Sequence, residues 1–300
     1  MVERCIGNAE VASSNPAWGI QRIVSFSVVY LEFFKALKFN NIINKYYMNA
    51  KLIKKTKITQ DIYSLIFKSE SKFSFKPGQH LVVTFKHKGM EEVRPYSFAS
   101  LRTELPFFEL NIKRYKDGLG SKYMTDLKVG NKIKIEKIKG NLYVRNKNKK
   151  NIFLGTGTGI IPMISMVKSL KNNKSDFYYG CRTEKDIIDF KELKSKTNSI
   201  NIILSKPKTN WKGKKGYVQD NFEKLSKTSD YYICGVPNMV VQTKNKLIEL
   251  GIPRKNIYTE GWEKIENEVK LVKKIGKINK FTNFIVNKIL KNADTNIINK

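Results

Sequence analysis

One segment near the middle of the chain restricts the fold more than any other, because glycines alternate there between an apolar run and a helical stretch. Glycine lets the backbone turn sharply and approach a bound phosphate, whose charge suits a helix N-terminus. Proline fits the first turn of a helix, where its missing N–H costs nothing. The segment predicts a strand, a nucleotide-binding turn and a helix; a plain tight turn is the alternative, since the spacing differs from GxGxxG. The turn residues are Gly155, Thr156, Gly157, Thr158, Gly159 and Pro162.

The pattern of apolar residues along the sequence changes at about residue 149. Before it, short runs rich in branched and aromatic residues are separated by turn signals, which predicts an antiparallel β-barrel over 48–148 with one helix at 121–127. After it, apolar runs alternate with helical stretches, which predicts an α/β domain with a parallel sheet over 149–262. The barrel strands are expected at 62–67, 80–85, 107–113 and 132–137, and the later helices at 162–170, 187–193 and 238–250.

Both ends of the chain differ from its body. The first 34 residues contain no lysine, so we interpret 1–47 as an extension of uncertain origin and expect Met48 to be the true start. Residues 263–300 form a basic, partly amphipathic tail, either a solvated helix laid on the body or a helix that contacts a partner or a membrane surface. No segment reaches the roughly 20 apolar residues of a membrane span.

The formal net charge of +31 is extreme and first suggests nucleic-acid binding. The lysines are dispersed along the chain, however, which favours a solvated surface and steering toward an acidic protein partner over nucleic acid. The three cysteines, Cys5, Cys181 and Cys234, form no CxxC pair. This pattern disfavours an iron–sulfur cluster or a zinc site and favours a reducing, cytoplasmic location.

A second motif, Arg94, Pro95, Tyr96 and Ser97, precedes the glycine turn by about 60 residues. Arginine can pair with a diphosphate, a tyrosine ring can stack on a planar heterocycle, and a hydroxyl can reach a ring nitrogen. Alone, the motif is equally typical of an ordinary strand. In this order, the two motifs resemble the ferredoxin–NADP reductase superfamily over residues 50–262. The resemblance implies a flavin-binding barrel in which Arg94 contacts the flavin phosphates, Tyr96 packs against the isoalloxazine and Ser97 lies near its N5.

Further motifs extend the resemblance. Gly118, Gly120 and Ser121 are similar to the turn that holds the flavin diphosphate, which supports FAD over FMN. The segment from Tyr179 to Arg182 is similar to the family's next strand end, whose following residues line the nucleotide cleft. In the family's last two motifs, a thiol lies beside the nicotinamide ring, an acid lies near the hydride path and an aromatic ring covers the flavin. Gly261, which stands between the acid and the aromatic residue, departs from the commonest form of the last motif. The matching residues are Cys234, Gly235, Pro237, Met239, Glu260 and Trp262.

The resemblance implies hydride transfer between NAD(P)H and flavin, with single electrons passing to or from a carrier, and Ser97, Cys234 and Glu260 as catalytic candidates. Ser205 and Lys206 favour NADPH, although the region around Trp211 is equally similar to NADH-using relatives. An acidic ferredoxin or flavodoxin is the expected partner; a reductase of free flavin, ferric chelate or haem protein is the alternative. The alternative that is not an enzyme is a basic module that binds nucleic acid or a membrane. His80 and His87 are interpreted as strand-surface residues, and no metal site is expected.

Overall fold

The computed structural model describes residues 47–171, 175–222 and 225–260. The expectations for the first 46 residues, for Trp262 and for the tail at 263–300 lie outside these residues. Within the described part of the chain, no helix combines the length and apolar character needed to cross a bilayer.

The first half is a six-stranded antiparallel sheet that curls on itself, as the strand pattern predicts. Its spatial order is β4-β3-β6-β1-β2-β5. The two edges of the sheet meet at an isolated bridge between Phe98 and Leu110, which closes the barrel at one point. The elements are β1 Met48–Lys57, β2 Ile62–Ser69, β3 His80–His87, β4 Met90–Ser97, β5 Phe107–Lys113, α1 Leu119–Asp126 and β6 Lys132–Lys139.

The second half is a parallel sheet with the order β10-β9-β8-β7-β11-β12. The chain first builds outward from β7 and then returns to β7's other side with β11, so the strand order reverses between β7 and β11. The elements are β7 Asn151–Thr156, α2 Ile160–Lys168, β8 Ser175–Cys181, α3 Phe190–Lys196, β9 Ser199–Leu204, β10 Lys214–Lys215, β11 Asp230–Cys234, α4 Pro237–Glu249 and β12 Ile257–Thr259. The predicted two-domain fold, a barrel followed by a parallel α/β sheet, is confirmed.

Helix α2 joins the two halves. Every residue from Ile160 to Val167 is buried, and the helix shares one apolar cluster with Phe153 of the sheet and Ala99 of the barrel. The backbone N–H of Gly78 donates to Ser165 Oγ at 2.8 Å across this contact. A helix packed on both sides needs apolar residues all round, which explains why the segment after the glycine turn is so hydrophobic.

Helix α3 begins three residues later than the sequence predicts. Thr183 and Asp186 cap a short 3₁₀ turn, with the Thr183 N–H donating to Asp186 Oδ2 at 2.9 Å. Asp189 then adopts a left-handed conformation with φ of 52°. The residues that the apolar pattern assigns to the first turn of the helix therefore belong to this turn instead.

Candidate active site

The first wall of the site is the edge strand β4. Within the described residues, β4 pairs with β3 alone, and Pro95 lies opposite Val82 in that pairing. Proline has no N–H to donate, so it is tolerated on a strand edge. Arg94, Tyr96 and Ser97 are all partly buried. Burial raises the pKa of Tyr96, against the opposing effect of Arg94, so its hydroxyl stays neutral.

The N-terminus of α1 packs directly against this strand. A Cβ atom at Gly120 would lie 2.7 Å from Arg94 Cγ and 2.7 Å from Tyr96 Oη, so only glycine fits there. Ser121 braces the turn, because its hydroxyl donates to the Gly118 carbonyl at 3.0 Å and accepts from the Tyr115 N–H at 3.1 Å. Gly118 caps the helix without a side-chain hydrogen bond. The first N–H groups of α1 therefore remain for a ligand.

These residues fit the diphosphate of a flavin nucleotide. Arg94 pairs with Glu92 at 2.9 Å, but its Nε is buried and has no hydrogen-bond partner among the described residues. A buried, unpartnered donor is costly, and an anion beside it would remove that cost. Arg94 and the N-terminus of α1 would hold the phosphates, and Tyr96 would offer its flat ring to the isoalloxazine.

The second wall comes from the ends of β11 and β12. His80 Nδ1 lies 3.1 Å from Glu260 Oε1, and both side chains are largely buried. The carboxylate of Glu260 also lies over Gly140, where a side chain would collide with it. The interpretation of His80 as a strand-surface residue is therefore wrong, because its ring is the partner of the closing acid. Burial raises the pKa of Cys234 to about 12, and the nearby Glu260 adds to that rise, so Cys234 is a neutral thiol.

The glycine-rich turn and the loop after β11 contact each other at the point where the strand order reverses. A Cβ at Gly159 would lie 2.5 Å from the Cys234 carbonyl oxygen. The Val236 N–H donates to Thr156 Oγ1 at 3.3 Å. Ligands of open parallel sheets bind beside the carboxyl ends of the strands at such a reversal.

A cavity of about 570 Å³ lies at this edge. It brings together six of the predicted residues, Thr156, Gly157, Thr158, Arg182, Ser205 and Met239. Gly155, Gly159, Pro162, Gly235 and Pro237 shape the surrounding turns and do not line it. Lys206 is exposed outside the lining, and its N–H donates to the Arg182 carbonyl at 2.8 Å.

The barrel also contributes residues to this cavity that no sequence motif identifies. Lys113 pairs with Asp61 at 3.1 Å and lies 3.8 Å from Asp186 of the sheet half. Tyr115 of the barrel and Tyr217 of the sheet half line the cavity as well. These positions are far apart in sequence and belong to no motif, so no local signal identifies them. Cys181 is also in the lining, and burial, followed by the charges of Asp186 and Glu184, raises its pKa to about 12.

Two family models match the chain. An oxidoreductase FAD-binding domain matches residues 49–143, and an oxidoreductase NAD-binding domain matches residues 153–245. The first range contains β4 and α1, and the second contains the glycine turn and the loop after β11. The matched ranges therefore contain the first wall and the Cys234 part of the second wall, while β12 and Glu260 follow them in sequence.

The chain is similar to several curated oxidoreductases. It is 31% identical over 270 residues to NADH-cytochrome b5 reductase 1 of Candida glabrata, covering 79% of this chain and 94% of the relative. It is 30% identical over 212 residues to ferredoxin–NADP reductase B of Sorangium cellulosum, covering 64% of this chain and 86% of the relative. A solved ferredoxin NADP+ reductase from Neisseria gonorrhoeae with bound FAD and NADP aligns with a TM-score of 0.63. That alignment covers 71% of this chain and 98% of the other, at 17% identity.

Proposed function

This chain belongs to the ferredoxin–NADP reductase superfamily, and we propose that it oxidises NADPH through a bound FAD and passes single electrons to an acidic carrier protein. Membership makes it an FAD- and NAD-binding oxidoreductase. The choice of NADPH and of the carrier is our proposal. The observation that carries the flavin enzyme is the packing of Gly120 against Arg94 and Tyr96, each with an atom 2.7 Å from where a Cβ would lie.

FAD, when bound, supplies a hydride acceptor that can release electrons one at a time. The residues of the chain bind the cofactors and orient them. Arg94 and the α1 N-terminus neutralise phosphate charge, and the neutral Tyr96 offers a planar surface. On the opposite wall, His80 fixes the Glu260 carboxylate, while Cys234 presents an uncharged thiol. Neither Tyr96 nor Cys234 adds a charge to the space between the walls.

The end of β9 supports NADPH over NADH. NADH-binding sites commonly place a carboxylate on the ribose 2′-hydroxyl, where it would repel a 2′-phosphate. Here Ser205 lines the cavity at that strand end and Arg182 lines it at the end of β8. The two carboxylates in the lining, Asp61 and Asp186, face Lys113. The hydroxyl and the guanidinium group can both donate hydrogen bonds to a 2′-phosphate.

The carrier is proposed from charge. With a formal net charge of +31, the chain attracts acidic proteins, and such steering raises association rates at low salt. Ferredoxins and flavodoxins are typical acidic carriers. The second candidate is a haem protein, which the named relative from Candida glabrata favours because it is an NADH-cytochrome b5 reductase.

The visible spectrum of the purified protein tests the core of the proposal. We expect a yellow protein whose absorbance bleaches on adding NADPH without oxygen, and more slowly with NADH. A colourless protein that takes up no added FAD would contradict flavin binding. Faster bleaching with NADH would overturn the choice of nucleotide while leaving the flavin enzyme intact.

Carrier choice is tested by the reduction rates of ferredoxin, flavodoxin and cytochrome b5 at rising salt. We expect the preferred acidic carrier to slow steeply between low and physiological ionic strength, because its attraction is screened over about 8–10 Å. Salt-independent rates would refute electrostatic steering. Rapid turnover with free flavin or ferric chelate, and none with proteins, would refute the carrier itself.

A further inference from the structure

A second cavity, of about 790 Å³, lies between the barrel and the other end of α2. It shares no lining residue with the nucleotide cavity. Helix α2 begins beside the glycine turn and ends at Lys168, and nine residues at about 1.5 Å each separate its ends by roughly 13 Å. The second cavity therefore lies at the opposite edge of the parallel sheet.

The charged residues that line this second cavity all have the same sign. Six cationic residues line it, and none of the described residues in its lining is acidic. The nucleotide cavity, by comparison, has four cationic residues and two carboxylates in its lining. The cations of the second cavity are Lys76, Arg102, Arg145, Lys147, Lys168 and Lys171.

Most of these charges lack a counter-charge. Lys168 pairs with Glu192 at 3.3 Å and donates to the Ala99 carbonyl at 3.2 Å. The other five form no ion pair with any residue in the described ranges. A concave surface lined by one sign of charge focuses the field and concentrates counter-ions.

Two of the cations converge on one aromatic ring. Lys76 Nζ lies 4.2 Å and Arg145 Cζ 3.8 Å from the centroid of the Tyr143 ring. The Arg145 segment is fixed, because its N–H donates to the Oη of the buried Tyr232 at 2.9 Å. Cation–π attraction holds both side chains at the Tyr143 ring, and an anion in the cavity would neutralise the positive charge gathered there.

The floor of the cavity is apolar. Phe75 is only 3% exposed, and Pro77, Leu101 and Val144 extend the apolar surface. An apolar floor with a few polar groups and a volume of roughly 300–1,000 Å³ is typical of small-molecule sites. A flat interface for a protein partner would lack a cavity of this volume. Guanidinium groups bind phosphate and carboxylate oxygens in pairs, and six cations in one lining favour a ligand with several negative charges, such as a diphosphate, over a single carboxylate.

We infer that this cavity binds a small molecule carrying at least two linked phosphate groups, separately from the dinucleotide. The site is independent of the proposed oxidoreductase function, because none of its residues belongs to either wall of the active site. Its occupancy by a nucleoside diphosphate or by inorganic pyrophosphate depends on the same cations. The apolar floor distinguishes the two, since only the nucleoside offers an apolar group to it.

The test is calorimetric titration of the full-length flavin-loaded protein with pyrophosphate, adenosine diphosphate and adenosine. The double variant Arg102→Gln/Lys147→Gln removes two exposed cavity charges that make no ion pair. The matched control, Lys86→Gln/Arg254→Gln, removes the same charge from exposed positions outside both cavities. The variant Arg182→Gln weakens the nucleotide cavity instead.

We expect the cavity variant to bind pyrophosphate and adenosine diphosphate at least about tenfold more weakly, with its KM for NADPH unchanged. The control should match the wild type. Tighter binding of adenosine diphosphate than of pyrophosphate would identify the nucleoside as the source. Equal losses in the cavity variant and the control would overturn the inference, as would a loss confined to Arg182→Gln. Binding only to anionic phosphatidylserine vesicles, with no pyrophosphate affinity better than about 1 mM, would overturn it as well.

Discussion

On the barrel side of the active site, the binding surface is made of side chains: Arg94 and Tyr96 project from an edge strand toward the end of α1. On the sheet side it is made mostly of backbone, because the glycine turn and the loop after β11 approach so closely that Gly159 has no room for a Cβ. A side-chain wall loses affinity when charge or ring is removed. A backbone wall loses it when atoms are added. The two walls should therefore respond to opposite kinds of substitution.

The largest effect is expected at Gly120, a backbone position on the barrel side that packs against the side chains of Arg94 and Tyr96. A valine there would collide with Arg94 and Tyr96. Overpacking of this kind costs about 1–3 kcal/mol, so FAD affinity should fall by up to roughly 100-fold, measured by flavin fluorescence titration of the apoprotein. Gly89→Asn is the control, since a Cβ at Gly89 meets nothing within 4 Å. Unchanged FAD binding by Gly120→Val would remove α1 from the flavin site.

Arg94→Gln removes charge from the side-chain wall and keeps its shape. Hydrogen bonds to charged groups contribute about 1.5–3 kcal/mol, so the FAD dissociation constant should rise by at least roughly tenfold. The same titration measures it, with Arg254→Gln as an exposed arginine control. NADPH-site binding, followed with 2′,5′-adenosine diphosphate, should stay unchanged. If both ligands weakened equally, the two walls would not be separate.

Gly159→Ala is the converse experiment on the backbone wall. The added methyl would press on the Cys234 carbonyl and force the two loops apart. We expect the affinity for 2′,5′-adenosine diphosphate to fall by about tenfold, with FAD content unchanged in the visible spectrum. Retention of full nucleotide affinity would mean that the close approach of these loops does not shape the cavity.

Ser205→Asp tests the one place where the sheet side is expected to recognise its ligand through side chains. A carboxylate there would repel a 2′-phosphate by about 1 kcal/mol at this partly exposed position. The ratio of kcat/KM for NADPH to that for NADH should fall by about fivefold. Lys206→Gln, exposed and outside the cavity lining, should change the ratio little. An unaltered ratio in Ser205→Asp would place the ribose elsewhere.

Much of the fold could be predicted because it follows local patterns. Alternating apolar residues identify the strands, and the segment from Gly155 to Pro162 identifies a strand-turn-helix unit from the sequence alone. The His80–Glu260 contact could not be predicted, because 180 positions separate the two residues and the contact depends on how the barrel meets the sheet. The same holds for Lys113 and Asp186. Helix α3 was misplaced because capping by Thr183 and Asp186 overrides the apolar pattern.

Among the described residues, the isolated bridge between Phe98 and Leu110 joins the two edges of the barrel at one point and leaves a seam along β4. An open strand edge of this kind can pair with the edge of another molecule and begin aggregation. Pro95 removes one donor from that edge, and the Glu92–Arg94 ion pair places charged groups along it. The strand that carries the flavin motif is therefore also the one that must discourage self-association. A bound FAD would cover part of the same edge, so solubility and cofactor loading should rise together during expression.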